Sequence, residues 1–209
     1  MSRVFEVDPE RLEEAGVAVR AAARAVAEGA VVVFPTETVY GMAARPDLSS
    51  ATRRLFAVKR RPAALNLPVL VSDPAAGWRL GVATPEARRL ADRYWPGPLT
   101  LVLRRTRASS RWDLGEHTGS VAVRVPAHAV ARRLLVATGP LAATSANPSG
   151  APPIEDPEAL VETFGDDVAV FLVLAPGAAR PSGIASTVVD LTGDEALVTR
   201  KGTIEAPPR

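Results

Sequence analysis

Three helix starts with the same local chemistry constrain how this chain can fold. Asp8, Thr84 and Asp156 each precede a Pro-Glu dipeptide. A capping side chain, a proline at the first helical position and a carboxylate in the first turn together favour a helix N-terminus. Short apolar runs, typical of buried strands, lie between these starts. The alternation of the two patterns predicts an α/β fold.

Capping and periodicity together predict five helices and eight strands. The predicted helices span 9–28, 50–59, 85–94, 127–137 and 157–164. The predicted strands span 30–34, 67–71, 99–103, 121–125, 141–143, 168–174, 187–191 and 196–200. Helices intervene early, but only turns separate the last three strands, so we expect a twisted, mixed parallel and antiparallel sheet flanked by helices. The segments 106–119 and 176–185 are predicted to be irregular, and loops of that length often border a site.

Length and charge limit the class of protein. The chain has 209 residues, of which 47% are hydrophobic and 23% charged, and this is typical of one globular domain with an ample core. We expect a single domain over 1–209, with its core at about 9–202. Twenty-five basic and 23 acidic residues give a formal charge of +2, so a broad nucleic-acid-binding surface is not indicated and any positive field is local.

Cysteine is absent from the sequence, which excludes disulfides, thiolate catalysis and cysteine metal sites. His117 and His128 are the two imidazoles, and we expect no structural metal and no metal ligands. The N-terminus is charged and lacks an apolar signal core, and no run approaches the roughly 20 apolar residues that span a bilayer. These features predict a cytoplasmic protein without a membrane partner.

The segment FPTETVYG, at 34–41, crowds polar groups at the end of the first predicted strand. Strand ends are where open α/β sheets bind ligands, but a turn whose threonines bond nearby backbone is an equally good interpretation. Neither a Walker-type phosphate loop nor a dinucleotide-binding glycine motif occurs in the chain. A hydrolase triad has no support either, because there is no G-x-S-x-G motif.

Two separated polar clusters predict a polyphosphate pocket. Lys59 and Arg61 leave a helix-like stretch and are expected to project into solvent, while Ser145 and Asn147 lie in the turn TSANPSG. Cationic donors beside a hydroxyl and an amide suit a polyphosphate if folding brings them together. The local alternatives are a solvated basic helix face for the first cluster and simple turn capping for the second.

Seven ordered segments resemble the YrdC-domain threonylcarbamoyl-AMP synthases. They are FPTETVYGMA at 34–43, KRRP at 59–62, YWPGPLTLVL at 94–103, VAVRVP at 121–126, ATSANPSG at 143–150, STVVDLT at 186–192 and Arg200 before Gly202. The resemblance extends from 25 to 202 and implies a YrdC-like fold with a concave basic cavity. The chain resembles the short form of the family, so we expect no second, C-terminal domain.

The resemblance implies a reaction in which L-threonine, bicarbonate or CO₂, and ATP give threonylcarbamoyl-AMP and pyrophosphate for modification of tRNA. It implies ATP as a substrate with Mg²⁺, and tRNA and the threonylcarbamoyl transfer machinery as partners. The implied catalytic residues are Lys59 and Arg61. The implied ATP-binding residues are Lys59, Arg61, Ser120, Ser145, Asn147 and Arg200. The implied threonine-binding residues are Thr38, Arg124 and Ser186.

Several of these residues have other interpretations. Arg124 alternates with valines and therefore also fits a solvent-facing strand position, and Arg200 also fits an edge-strand charge. The chain departs from many relatives at Leu65 and Leu70, where an amide and an imidazole are replaced. Losing two buried hydrogen bonds would weaken ligand binding by about 1 to 3 kcal/mol each. The alternative functions are a non-catalytic RNA-binding module of the same fold and a carbamoyl-adenylate domain of the hydrogenase-maturation type, which occurs in longer, cysteine-bearing chains.

Overall fold

The computed structural model describes residues 2–204, which form one α/β domain around a single ten-stranded sheet. The helices in this part of the chain are α1 (Gly16–Ala27), α2 (Ser49–Lys59), α3 (Pro74–Leu80), α4 (Pro85–Tyr94), α5 (Ala129–Thr138) and α6 (Pro157–Phe164). The strands are β1 (Arg3–Val7), β2 (Val31–Phe34), β3 (Gly41–Ala44), β4 (Val69–Leu70), β5 (Leu99–Arg104), β6 (Ser120–Arg124), β7 (Leu141–Ser145), β8 (Val168–Leu174), β9 (Thr187–Asp190) and β10 (Leu197–Arg200).

The sheet mixes parallel and antiparallel neighbours, as the sequence predicts. Its strand order is β1-β8-β2-β3-β7-β4-β6-β5-β9-β10. Strand β8 is parallel to β1 and β2, β4 is parallel to β6, and β5 is parallel to β9. The other neighbouring pairs are antiparallel. The predicted fold class is confirmed.

Helices cover both faces of the sheet, and strand β2 shows why. Its four residues are fully buried, but Val31 and Val33 belong to one apolar cluster while Val32 and Phe34 belong to another. Successive side chains of a strand point to opposite faces, so the two clusters lie on opposite sides of the sheet. The first cluster packs beneath α2, α3, α4 and α6, and the second beneath α1 and α5. The helices within residues 2–204 are all too short or too polar to cross a bilayer.

The first helix begins later than predicted, because Asp8 does not cap a helix. Its carboxylate accepts a hydrogen bond from the backbone N–H of Glu10, two residues on, at 2.9 Å, and turns follow up to residue 15. Thr84 and Asp156 instead accept from N–H groups three residues on, at 3.1 and 3.2 Å, which is the geometry of an N-cap. The prediction that this helix starts at residue 9 is therefore wrong, and α1 spans Gly16–Ala27.

The other four predicted helices and all eight predicted strands are present within a few residues of their predicted bounds. Three further elements were not predicted: β1, β3 and α3. Strand β1 is an edge strand whose residues are mostly exposed or half-buried, so it lacks a strong apolar pattern. Helix α3 begins after Asp73, which accepts from the N–H of Ala76 at 2.8 Å, although no glutamate follows its proline. Segments 106–119 and 176–185 contain no helix or strand, as expected.

Candidate functional site

One cavity, of about 120 Å³, brings together most of the predicted site residues. The predicted residues that line it are Thr38, Arg61, Arg124, Ser145, Ser186 and Arg200. The rest of its lining is Thr36, Val39, Gly41, Pro68, Leu70, Thr100, Ala143, Thr144 and Ala185. These residues come from segments far apart in the sequence, so only the complete sheet assembles the cavity.

The cavity lies on the α1/α5 face of the sheet. Leu70 belongs to the apolar cluster on that face and is the direct strand partner of Arg124, so both side chains lie on the same side. Thr100 stands between Leu99 and Leu101, which pack on the opposite face. Alternation therefore places the Thr100 side chain on the same face as Arg124. The polar side chains of the cavity therefore occupy strand positions that alternate with apolar residues packed in the core on the opposite face of the sheet.

Lys59 ends α2 and is enclosed by the turn after β7. The residue is only 3% exposed. The ammonium lies 2.7 Å from the carbonyl oxygen of Ser145 and 3.0 Å from the Ser145 hydroxyl, the Asn147 carbonyl and the Asn147 amide oxygen. Since an ammonium group has three protons, these oxygens saturate it. Burial, followed by the charge of Arg61, lowers the pKa of Lys59 to about 8.

The predicted meeting of the two polar clusters is therefore confirmed, but the expectation that Lys59 projects into solvent is wrong. The helix end explains why Lys59 and Arg61 differ. Arg60 adopts the left-handed conformation, with φ 52° and ψ 41°, and the chain closes with a bond from the N–H of Arg61 to the carbonyl of Phe56. Arg61 is half-buried, lines the cavity and donates to the carbonyl oxygens of residues 65 and 66, at 2.7 and 2.9 Å.

Asn147 fastens the turn itself. It is 6% exposed, and its amide nitrogen donates to the carbonyl oxygens of Pro148 and Ala151, at 2.9 and 2.6 Å. Neither Asn147 nor Lys59 is among the residues that line the cavity, whereas the half-buried Ser145 is. Asn147 therefore makes the contacts that the turn-capping interpretation describes, and Lys59 binds the same turn. The roles predicted for both residues at ATP, and for Lys59 in catalysis, remain predictions.

Arg124 is buried at the end of β6 and is paired with Glu37. It is 6% exposed, so the solvent-facing interpretation is wrong. Its Nε donates to the carbonyl of Gly97 at 3.1 Å, and its Nη2 donates to Oε1 of Glu37 at 2.7 Å. Burial alone would raise the pKa of Glu37, but the charge and hydrogen bond of Arg124, together with backbone hydrogen bonds, outweigh burial and lower it. The carboxylate is therefore ionised, and it also accepts from the N–H of His128 at 3.3 Å.

The hydroxyls of Ser186 and Thr100 form a network with Arg200. Nε and Nη2 of Arg200 each lie 2.9 Å from Ser186, at its carbonyl oxygen and its hydroxyl respectively. The Ser186 and Thr100 hydroxyls are 2.8 Å apart. Arg200 lies on the edge strand, as the alternative interpretation states, but its guanidinium also reaches the cavity.

Among the three arginines that line the cavity, Arg61 interacts with Arg200 and Arg200 with Arg124 through their charges. Desolvation, followed by the charge of Arg200, lowers the pKa of Arg61, and desolvation, followed by Arg124, lowers that of Arg200. Arginine nevertheless stays protonated in proteins. An anion placed among three guanidinium groups would relieve their mutual repulsion.

The loop after β2 supplies fixed hydroxyls and anchors a second loop. Thr36 donates its hydroxyl proton to the carbonyl of Val39 at 2.6 Å, so the Thr38 hydroxyl, 2.9 Å away, donates to Thr36. Thr38 is 1% exposed. The carbonyl oxygens of Glu37 and Thr38 accept from the N–H groups of residues 182 and 183, at 3.0 and 2.9 Å. The irregular segment 176–185 is thereby fastened beside the cavity.

Ser120 is not brought to this cavity. It is half-buried at the start of β6, on the same face as Arg124 and four residues before it, which corresponds to about 13 Å along a strand. Its predicted role remains a prediction. Of the two departures, Leu70 is buried in the lining and Leu65 is half exposed. Within residues 2–204, no group of three or more histidines, cysteines or carboxylates has the geometry of a metal site.

Known proteins are similar to this chain in sequence over most of its length. A putative threonylcarbamoyl-AMP synthase of Mycobacterium tuberculosis is 39% identical over 206 residues, which cover 98% of this chain and 92% of the relative. The threonylcarbamoyl-AMP synthase of Pyrococcus abyssi is 38% identical over 195 residues, which cover 92% of this chain but only 56% of that protein. The present chain thus spans little more than half of the archaeal relative.

Solved structures agree with the sequence comparisons. The crystal structure of P. abyssi Sua5 complexed with L-threonine superposes with a TM-score of 0.78 at 32% identity, covering 97% of this chain and 57% of that chain. The crystal structure of Escherichia coli YciO gives a TM-score of 0.85 at 26% identity and covers 98% of both chains. The family model Sua5_yciO_yrdC, described as "Telomere recombination", matches residues 24–202. The chain therefore belongs to the Sua5/YciO/YrdC family.

Proposed function

We propose that this protein is an L-threonylcarbamoyladenylate synthase, which converts L-threonine, bicarbonate or CO₂, and ATP into threonylcarbamoyl-AMP and pyrophosphate. The observation that carries this function is the cavity in which Arg61, Arg124 and Arg200 meet the hydroxyls of Thr38, Ser145 and Ser186. Threonine carries a carboxylate and the nucleotide carries a polyphosphate, and the basic character of this cavity is part of the proposal. The M. tuberculosis and P. abyssi relatives, the first named as a putative threonylcarbamoyl-AMP synthase and the second as a threonylcarbamoyl-AMP synthase, are 39% and 38% identical to the chain.

Threonine is assigned to the end of the cavity that contains Arg124. A guanidinium group can bind a carboxylate through two parallel N–H groups, which a lysine cannot do. The buried hydroxyls of Thr38 and Ser186 lie in the same lining and suit the polar groups of an amino acid. The neutral amine of threonine attacks the carbon of CO₂, a C–N bond forms and the amine loses a proton; from bicarbonate the same carbamate forms with loss of water. The carbamate is a second anionic group, directed towards the remaining arginines.

The nucleotide phosphates are assigned to Arg61, Arg200 and Ser145. The carbamate oxygen attacks the α-phosphorus of ATP, a new O–P bond forms, and the bond to the β-phosphate oxygen breaks with pyrophosphate leaving. This step brings an anion towards a polyanion, so fixed cations stabilise the transition state. Lys59 supports the step by holding the 145–147 turn in place. Ser120 is assigned to a more distant part of the nucleotide.

The product suits transfer to adenosine of tRNA, and we assign the protein to the cytoplasm, where tRNA and ATP are available. ATP is assigned as its Mg²⁺ complex, with the metal arriving as part of the substrate. Docking to tRNA or to the transfer machinery is part of the same proposal. With a net charge of +2, such docking would use a local basic patch and not a broad basic surface.

The deciding experiment incubates the purified protein with Mg²⁺, ATP, bicarbonate and labelled threonine, and detects threonylcarbamoyl-AMP by mass spectrometry. Product should require all three substrates and should appear with one equivalent of pyrophosphate. Arg61→Ala should abolish it, because a cation beside the phosphates is lost. Arg53→Ala is the matched control, since Arg53 is an exposed arginine on α2 outside the cavity.

An RNA-binding module predicts a different result. It would form no product in the unmodified protein and would bind tRNA with an affinity that falls steeply with salt. That combination would overturn the proposed enzyme function.

A further inference from the structure

Arg124 offers only part of its guanidinium group to the cavity. Of its five N–H groups, one on Nε is directed to Gly97 and one on Nη2 to Glu37. Within residues 2–204, Nη1 makes no hydrogen bond to a protein atom, and Arg124 lines the cavity. The edge formed by Nε and Nη2 is therefore occupied by the protein, and the fork between Nη1 and Nη2 remains for a ligand.

Glu37 contacts Arg124 but does not itself line the cavity. Its Oε1 accepts from Arg124 at 2.7 Å, and its Oε2 accepts from the backbone N–H of His128 at 3.3 Å. The Arg124 and Glu37 side chains are 8% and 23% exposed, so water competes little for the pair. The backbone of Glu37 is fixed as well, because its carbonyl accepts from the N–H of Ser182 at 3.0 Å.

We propose that Glu37 is a positioning residue, which holds Arg124 so that the Nη1–Nη2 fork faces the cavity and takes the carboxylate of an α-amino acid. A charge-assisted bond to a fixed carboxylate selects one orientation of the planar guanidinium group. Without it, Arg124 would keep only the single bond to Gly97 and could turn a different edge to the ligand. Glu37 also balances one of three neighbouring positive charges, so Arg124 stays in place when no substrate anion is present.

The identity of the amino acid rests on the proposed function, whereas the orientation of Arg124 does not. Glu37→Gln keeps an acceptor oxygen for Arg124 but removes the negative charge and presents an NH₂ group to the N–H of His128. Glu86→Gln is the matched control. Glu86 also contacts an arginine Nη2 through Oε1 at 2.7 Å, but it does so on the exposed surface of α4.

The first measurement is the apparent KM for each substrate in the threonylcarbamoyl-AMP assay. Glu37→Gln should raise the KM for threonine about tenfold, a cost of about 1.4 kcal/mol, while the KM for ATP changes less than about twofold. Glu86→Gln should change neither value. A Glu37→Gln variant with unchanged threonine KM, or with equal rises for both substrates, would overturn the positioning role.

The second measurement does not depend on catalysis. In ¹⁵N-labelled protein, the Nε–H signal of Arg124, assigned by its absence in Arg124→Lys, should show restricted motion that Glu37→Gln relaxes and Glu86→Gln leaves intact. If the unmodified protein makes no threonylcarbamoyl-AMP, the proposed function fails, and this signal still decides whether Glu37 orders Arg124. An equally rigid Arg124 in Glu37→Gln would overturn the inference.

Glu37→Asp provides a second variant should Glu37→Gln fail to fold. It keeps the charge but is one methylene shorter, so it should raise the threonine KM about threefold, with Arg124 more mobile than in the unmodified protein. An aspartate variant that matches the unmodified protein in both measurements would show that the reach of Glu37 is irrelevant and would contradict the proposal.

Discussion

At the residue scale, the site separates side chains that face the cavity from side chains that hold them. Arg61, Arg124 and Arg200 line the cavity, whereas Lys59 and Glu37 do not. Each of the latter two is charged and pairs with protein groups: Lys59 donates to the 145–147 turn, and Glu37 accepts from Arg124. Substitutions at the two kinds of position should therefore have different consequences.

Arg124→Lys tests the carboxylate clamp directly. Lysine retains the positive charge but loses the planar fork, so the KM for threonine should rise about tenfold or more while the KM for ATP changes less than about twofold. Steady-state kinetics with each substrate varied in turn provide the measurement, and Arg124→Ala should show a larger effect. Arg53→Lys on exposed α2 is the control. Equal changes for both substrates would contradict the assignment of Arg124 to threonine.

Lys59→Met should destabilise the protein by about 2 to 4 kcal/mol, because buried oxygens of Ser145 and Asn147 lose a charged donor. Chemical denaturation at pH 7 measures this loss. The sequence contains one other lysine, Lys201, which is exposed. Acetic anhydride at pH 7 reacts with the neutral amine, so the lowered pKa favours acetylation of Lys59 while its enclosure opposes it. We expect enclosure to prevail, with Lys201 acetylated faster in the folded protein and Lys59 labelled at least as fast as Lys201 once urea unfolds the chain, as peptide mass spectrometry would show. A Lys59 that reacts equally fast in the folded and the unfolded protein would contradict its enclosed position.

The lowered pKa of Lys59 also predicts the pH dependence of stability. Between about pH 8 and 10.5 the unfolded chain binds a proton at Lys59 that the folded chain has lost. The free energy of unfolding contributed by this group therefore rises with pH in that window and is constant below it. The difference in unfolding free energy between the unmodified protein and Lys59→Met should grow from pH 8 to pH 10. A constant or shrinking difference would contradict the lowered pKa.

The sequence predicts the contact between Lys59 and the 145–147 turn but not its direction. Complementary donors and acceptors indicate that the two clusters meet, yet only the fold determines that the ammonium is enclosed by the turn. Glu37 could not be assigned for a related reason. Its partner, Arg124, lies 87 residues away, and no local pattern around Glu37 specifies that pairing.

At the element scale, the sequence patterns that predict an element reliably are those whose interacting residues all lie within a few positions of one another. Thr84 and Asp156 each cap a helix as predicted, since cap, proline and carboxylate act within one turn. Asp8 begins the same cap-proline-glutamate pattern but forms a tighter turn, because its carboxylate accepts from the N–H two residues on. Strand β1 was missed because its pairing with β8, more than 160 residues later, stabilises a segment with little apolar pattern.

Alanine substitutions at the three positions should lower the free energy of unfolding by different amounts, although the local sequence patterns are alike. Thr84→Ala and Asp156→Ala each remove a cap and should lower the free energy of unfolding by about 1 kcal/mol. Asp8→Ala removes a turn contact outside any helix and should cost less than about 0.5 kcal/mol. Urea denaturation of the three variants side by side would test this. A loss at Asp8 as large as the other two would show that residues 9–15 contribute helix-like stability.

At the scale of the whole molecule, the site is a property of the complete sheet. Its predicted residues lie in or beside α2, β2, β6, β7, β9 and β10, so they come from positions spread along the sequence and across the sheet. A ligand that spans the cavity should therefore bind several independent segments to one another. A ligand that binds only the folded protein raises its free energy of unfolding, by about 2.7 kcal/mol at a ligand concentration one hundred times Kd.

Hydrogen–deuterium exchange should reveal this coupling. With L-threonine and a non-hydrolysable ATP analogue together, exchange should slow at 36–39, 59–66, 143–147 and 185–187, because each segment contributes to the cavity or its support. The surface helix α4 should exchange at the same rate with and without ligands, since it lies on the opposite face of the sheet. With threonine alone, protection should be strongest at 36–39 and 185–187 and should vanish in Arg124→Ala. Protection confined to one segment, or spread equally into α4, would contradict a single cavity that binds both substrates.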